Sequence, residues 1–200
     1  GRLEEFFQDE TVKSANDIIV PDGDIESIQL ENVGFSYAGD DQTILSGIDV
    51  SLKKNDRLMI VGKSGCGKST LLQILAGFED PVQGEVYINH IPLKDVDENW
   101  FRKNLIYCSQ DPEIIEGSLY HNLCYSGRIH SEDEIRKLLD EVGLPYFKDK
   151  LNDIIDSKTN QFSDGERKRI GIVRALLSGS SAVLFDEPTS GLDSITGKKV

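Results

Sequence analysis

Gly62-Lys63-Ser64-Gly65-Cys66-Gly67-Lys68-Ser69-Thr70 satisfies G-x-x-x-x-G-K-[ST] at every required position, the pattern with which a backbone wraps phosphates. The glycines let successive N–H groups turn inward around an anion. Lys68 is placed to neutralise β- and γ-phosphate oxygens, and Ser69 offers a hydroxyl to Mg2+. The flanking residues agree. Arg57-Leu58-Met59-Ile60-Val61 is a short apolar run suited to a buried parallel strand, and Thr70 to Ala76 is a helix former ended by Gly77, its positive end turned to the same anion. The loop residues Gly62, Lys63, Ser64, Gly65, Cys66, Gly67, Lys68, Ser69 and Thr70 together predict a nucleotide site.

The whole chain sets bounds on what surrounds that site. Its 200 residues, 38% hydrophobic and 28% charged, fit one soluble globular domain that needs no disulfides to build a core. No apolar run approaches the ~20 residues of a membrane helix, and no signal peptide is visible. A net charge of −13 argues against a dedicated nucleic-acid binder, whose affinity would come from lysines and arginines. Cys66, Cys108 and Cys124 have no C-x-x-C spacing, which points to a reducing compartment and to neither a disulfide scaffold nor a zinc site. Cys66 lies inside the phosphate loop, where alkylation would block nucleotide binding, a small filler residue being the alternative reading.

Residues 1–24 read as a lead-in, with a helical Arg2–Phe7 stretch and a turn-rich Val20–Asp24. From Ile25 onward Ile28, Leu30, Val33, Phe35 and Tyr37 alternate as a half-buried strand, which breaks at Gly39–Asp41 and resumes from Ile44 to Leu52. An antiparallel element therefore precedes the phosphate loop. Glu85–Ile88 and Leu105–Cys108 are further strands, with a helix around Asp97 to Lys103. Ser131–Glu134 fits a capping box, and Ile135, Leu138, Leu139 and Val142 share a helix face. A second helix spans Gly165 to Leu177, with Ile170, Val173 and Leu177 inward and Arg167, Lys168 and Arg169 mainly outward. The strand Ala182–Phe185 then delivers Asp186 and Glu187 at its carboxyl end. This alternation predicts a largely parallel sheet covered on both faces, with ligands outside the carboxyl ends of its strands.

Asp186, following an apolar strand, is placed to hold hydrated Mg2+ together with Ser69. Glu187 beside it suits a different task, orienting and polarising a water for in-line attack on the γ-phosphate. Phe162-Ser163-Asp164-Gly165-Glu166 opens a helix that Ser163 is free to cap, with N–H groups left for an anion.

These three elements in this order resemble the ATP-binding-cassette family of nucleotide-binding domains from about Ile25 to the last residue. The resemblance implies an α/β fold: a P-loop NTPase core with a mostly parallel sheet, an N-terminal antiparallel β subdomain and a helical subdomain at about residues 111–176. Residues 1–24 would be a linker from a preceding membrane domain, and 25–200 the nucleotide-binding domain. Phe162–Glu166 corresponds to the family's Leu-Ser-Gly-Gly-Gln signature, Gln110 to its Q-loop glutamine, a catalytic and metal-binding position, and Ser190-Gly191-Leu192-Asp193 to its D-loop. Tyr37 matches the aromatic that stacks on adenine, an ordinary strand aromatic being the alternative. The implied assembly is a head-to-tail dimer of two nucleotide-binding domains sandwiching two ATP molecules. Each ATP would lie on one subunit's loop, with Ser163, Gly165 and Glu166 arriving in trans and Asp193 nearby.

Asp111 to Asn122 after Gln110 resembles the Q-loop region of exporters that fuse membrane and nucleotide domains. The chain then reads as the cytoplasmic-face ATPase of a membrane export transporter, the transmembrane domains being further partners. Ser118 to Asn122 and Glu166 faintly resemble peptide and bacteriocin exporters. Three departures stand out. Asp164 replaces a signature glycine, Ser157 stands where exporters carry a glutamate, and the family's switch histidine falls beyond Val200. The chain is therefore expected to bind Mg-ATP and hydrolyse it slowly. Two other readings remain at this point: a soluble cassette ATPase of DNA repair or chromosome maintenance, and a regulatory nucleotide-binding module with little turnover.

Overall fold

Ile28, Leu30, Val33 and Phe35 turn one face of β1 (Ser27–Phe35) into the core, each 7% exposed or less. The computed structural model describes residues 18–39, 42–124, 128–155 and 162–188. On one side β1 pairs antiparallel with β2 (Leu45–Lys53), and on the other with β3 (Gln83–Ile88), which pairs in turn with the short β4 (Ile91–Pro92). The register slips twice along β1, beside Asn32, whose φ of 49° takes up an irregularity in the ladder. The expected antiparallel element is thus present, in the order β2-β1-β3-β4.

Between β2 and β3, helix α1 (Lys68–Leu75) buries Thr70, Leu71, Leu72, Ile74 and Leu75 against that sheet. Helix α2 (Glu98–Asn104) begins where Asp97 accepts a hydrogen bond from the Trp100 N–H at 2.7 Å. It leads directly into β5 (Leu105–Cys108). These elements share one hydrophobic cluster, centred on Val33, Ile74 and Ile88. Ile19, in the lead-in, is also tied down: its N–H donates to the Asp95 carbonyl and its carbonyl accepts from the Asp97 N–H. The Arg2–Phe7 stretch lies outside the described residues.

A second cluster gathers the remaining elements. It contains the β6 (Gly117–Ser118) and β7 (Ile154–Ile155) pair, α3 (Leu119–Leu123), α4 (Glu132–Glu141) and α5 (Asp164–Ser178). Ile135, Leu139 and Ile170 are wholly buried there, as their helical spacing predicts. The α4 cap is half of the expected box. The Ser131 hydroxyl accepts from the Glu134 N–H at 3.2 Å, but the Glu134 carboxylate turns away to His130 Nδ1 at 3.0 Å. Arg167, Lys168 and Arg169 are half-buried instead of outward, because their side of α5 faces the segment after β5, where Arg167 approaches Asp111 at 4.0 Å.

From α5 the chain enters β8 (Ala182–Phe185), which pairs parallel with β5: Leu105 faces Ala182 and Cys108 faces Phe185. Among the described residues this is the one parallel ladder, accompanied by a single parallel bridge between Ile19 and Val96, so the described sheets are mixed. The 57–61 run is not a strand. Met59 is 83% and Val61 78% exposed, and extended backbone without a neighbouring ladder gains no hydrogen bonds to hold it. No described helix is long and apolar enough to cross a membrane.

Candidate functional site

The phosphate loop closes through left-handed glycines. Gly65 has φ 78° and Gly67 φ 90°, and Gly67 hands the chain to α1 without any side-chain cap. The first turn of α1 contains no acidic residue, so its unpaired N–H groups present an uncompensated positive end. Lys68 folds back across the loop, its Nζ donating to the carbonyls of Gly62 at 3.2 Å and Lys63 at 3.0 Å. Below the loop, Thr70 is buried and its Oγ1 lies 3.4 Å from the Tyr37 hydroxyl. Tyr37 itself is 43% exposed and packs edge-on to Phe35 at 5.0 Å, leaving ring surface open beside the loop. Ser69 is exposed on the first turn.

Gly67 admits no side chain. A Cβ there would lie 2.8 Å from Ile44 Cγ2 and 2.9 Å from Leu45 Cδ2, on a backbone that L-residues rarely adopt. Gly67→Ala is expected to lower stability by about 2 kcal/mol, from left-handed strain together with overpacking, and to abolish nucleotide binding. Urea unfolding checks the first effect and titration with ATP the second.

The carboxyl ends of β5 and β8 bring the second group of residues to the loop. Asp186 extends the parallel ladder by one step, its N–H donating to the Cys108 carbonyl at 2.9 Å, and its side chain is only 6% exposed. Glu187 then turns sharply, with φ 48°. Its Oε2 accepts from Gln110 Nε2 at 3.3 Å and its Oε1 lies 4.0 Å from Lys68 Nζ. Lys68, Gln110 and Glu187, distant in sequence, therefore converge.

Tyr107 was not singled out by sequence reading. Its hydroxyl donates to Asp186 Oδ2 at 3.1 Å. Burial, followed by the charge of Asp186 and the hydrogen bond to it, pushes the phenol up to about 12, so it remains a donor. Burial likewise pushes the neighbouring Cys108 thiol up to about 11, leaving it a poor nucleophile. The only local cue to Tyr107 was its place three residues before Gln110 in an apolar strand.

Ser163, Gly165 and Glu166 sit apart from this group, at the start of α5. Ser163 caps the helix in a complete box: its hydroxyl accepts from the Glu166 N–H at 3.4 Å, and Glu166 Oε2 accepts from the Ser163 N–H at 2.7 Å. The other Glu166 oxygen accepts from the Tyr146 hydroxyl. Tyr146, Phe147 and Phe162 form a row of mutually tilted rings beside the cap. Asp164 is exposed on the first turn. Asp193, with Ser190, and Ser157 lie outside the described residues.

A buried polar cluster, also unannounced by any local pattern, joins α5 to the segment after Gln110. Asn122 is fully buried. Its side chain accepts from the Ile115 N–H at 3.0 Å and donates to the Ile115 and Ser118 carbonyls. Arg174 donates to the Asn122 side chain at 3.0 Å, to its carbonyl at 2.6 Å and to the Glu113 carbonyl at 2.6 Å. The donor set near the loop suits Mg2+: Ser69, Gln110 and Asp186 offer oxygen only, and no described cluster of three His, Cys, Asp or Glu exists. Mg2+ takes few protein ligands and keeps waters and phosphate oxygens for the rest.

Residues 45–190 match the family described as "ABC transporter". The chain is 35% identical over 176 residues to the glutathione/L-cysteine transport system ATP-binding/permease protein CydC of Escherichia coli, a match covering 87% of the chain and 31% of that protein. It is 33% identical over 184 residues to the lactococcin-A transport/processing ATP-binding protein LcnC of Lactococcus lactis, covering 87% of the chain and 25% of the relative. A solved bacterial Atm1-family ABC exporter with ATP bound is similar at a TM-score of 0.79 and 26% identity, over 91% of the chain and 34% of the exporter. The chain thus spans about a third or less of the length of these proteins.

Proposed function

The chain belongs to the ABC transporter family and has the ABC ATPase fold, and from that premise we propose that it is the ATP-binding and ATP-hydrolysing domain of an export transporter. The observation that carries the reading is the convergence of Lys68, Gln110 and Glu187 at the mouth of the phosphate loop. Residues 25–200 form the nucleotide-binding domain, its helical part at about 111–176, and 1–24 lead in from transmembrane domains of the same transporter. The working position is the cytoplasmic face of a membrane. These relatives, all transport proteins, favour this reading over DNA maintenance. LcnC, a lactococcin-A transport/processing protein, favours testing first the peptide or bacteriocin cargo suggested by the resemblance of residues 118–122 and Glu166.

In this reading, loop N–H groups from Gly62 to Thr70 bind the phosphates, and Lys68 exchanges its two carbonyl partners for phosphate oxygens. Tyr37 stacks on adenine. Ser69, Gln110 and Asp186 would hold Mg2+, which neutralises charge developing on the phosphate oxygens. Glu187 orients a water in line with the γ-phosphorus and takes up its proton as the new P–O bond forms, while the bond to the β-phosphate oxygen breaks and ADP departs. Gln110 keeps the Glu187 carboxylate turned toward the loop. Ser163, Gly165 and Glu166 act in trans on the nucleotide of a second copy, with Asp193 of the D-loop beside them.

The trans arrangement sets the test. ATP is expected to drive self-association of the chain, followed by sedimentation. Asp164 places a carboxylate where the γ-phosphate docks, so Asp164→Gly is expected to strengthen association about fivefold, the equivalent of about 1 kcal/mol of relieved repulsion. A chain that stays monomeric at saturating ATP in both forms refutes the head-to-tail reading.

A further inference from the structure

We propose that Tyr107 is a positioning residue for Asp186, holding one carboxylate oxygen so that the other is left to the cation that accompanies the nucleotide. The proposal rests on the ATPase reading above and adds a residue to it. Asp186 is 6% exposed, and a carboxylate so far from water needs a fixed donor to hold its orientation. Its backbone is already locked to β5 by the 2.9 Å bond to the Cys108 carbonyl. The remaining freedom is rotation of the carboxylate, and the Tyr107 hydroxyl at 3.1 Å from Oδ2 removes it.

The ring behind that hydroxyl is held as well. Tyr107 meets Phe78 edge to face, with centroids 5.5 Å apart and planes at 88°. Phe78 in turn lies under the Arg102 guanidinium at 4.8 Å, and Arg102 donates to the Ala76 carbonyl at 2.8 Å, at the end of α1. The helix that starts at the phosphate loop therefore ends by bracing the tyrosine that orients Asp186. Groups that fix a metal-binding carboxylate in this way typically change metal affinity by about 10-fold or more when removed.

Mn2+ binding to the full chain in the presence of ATP, followed by electron paramagnetic resonance, reads this directly. Tyr107→Phe is expected to raise the half-saturating Mn2+ concentration about tenfold while leaving ATP binding in EDTA unchanged, a split that a loss of structure alone would not produce. A folded Tyr107→Phe protein with Mn2+ affinity within twofold of the parent overturns the proposal. If that variant does not fold, Phe78→Leu, at a position 54% exposed, removes the edge contact instead. It is expected to weaken Mn2+ binding at least twofold, and unchanged affinity again overturns the proposal. Asp186→Asn separates the two levels: weakened Mn2+ binding there without an effect of Tyr107→Phe removes only the tyrosine's role. No effect of Asp186→Asn removes the metal-site reading itself.

Discussion

Replacing Glu187 by glutamine is expected to lower steady-state ATP hydrolysis at least about a hundredfold, the range for loss of a general base, and to leave ATP bound. The substitution preserves the shape of the side chain, so the Gln110 contact at 3.3 Å has a geometric equivalent. What disappears is the charge. Glu187 is 39% exposed and 4.0 Å from Lys68, so the ion pair itself adds little stability, and folding is expected to be unaffected. ATP affinity holds or rises, because Lys68 no longer faces an internal carboxylate that competes with phosphate. Phosphate release and equilibrium binding of radiolabelled ATP measure the two halves. Hydrolysis within fivefold of the parent would remove Glu187 from the role of base and revive the regulatory-module reading.

The second large effect is on folding. Asn122→Ala is expected to destabilise the chain by about 3 kcal/mol, because it removes four hydrogen bonds of one buried amide at once. The Ile115 N–H and carbonyl, the Ser118 carbonyl and one Arg174 nitrogen all lose the amide of a fully buried side chain. For a chain of this length that corresponds to a melting-point decrease of roughly 6–12 °C. Thermal unfolding followed by circular dichroism tests it. A shift below ~2 °C would mean that water replaces the amide and that the network is not the clamp the geometry describes.

Residues 62–70 and 186–187 were legible because their chemistry is local: glycines at a turn, a lysine at a helix start, acids after an apolar strand. The rule for strand ends in parallel sheets accounts for the acids alone: the β5–β8 ladder delivers Asp186 and Glu187 beside Gln110, whereas no strand directly precedes the loop. The 57–61 run misled because apolar periodicity reports what a segment prefers to bury and not whether a neighbour is there to pair with it. Tyr107 with Asp186 and Arg174 with Asn122 are hydrogen bonds across 79 and 52 residues, and no pattern within a helix or strand announces such a partner. Arg167 to Arg169 were read as outward because charge predicts solvent, yet their helix face was already committed to the segment after Gln110.

That commitment has a mechanical consequence. Pro112 lies against Gly171 so closely that a Cβ on the glycine would come within 2.7 Å of the proline ring, and Arg174 grips Glu113 and Asn122 one turn further on. Helix α5 is thereby hinged near its middle to the very stretch that follows Gln110. Asp164 lies ~10 Å along the axis from Gly171, at 1.5 Å per residue, so a tilt of about 5° at that hinge swings the capped end by nearly ~1 Å. Such a displacement is enough to make or break a hydrogen bond. In the proposed head-to-tail arrangement, a small rearrangement where Gln110 meets Glu187 would be geared, through this rod, to the end of the helix that a second copy meets.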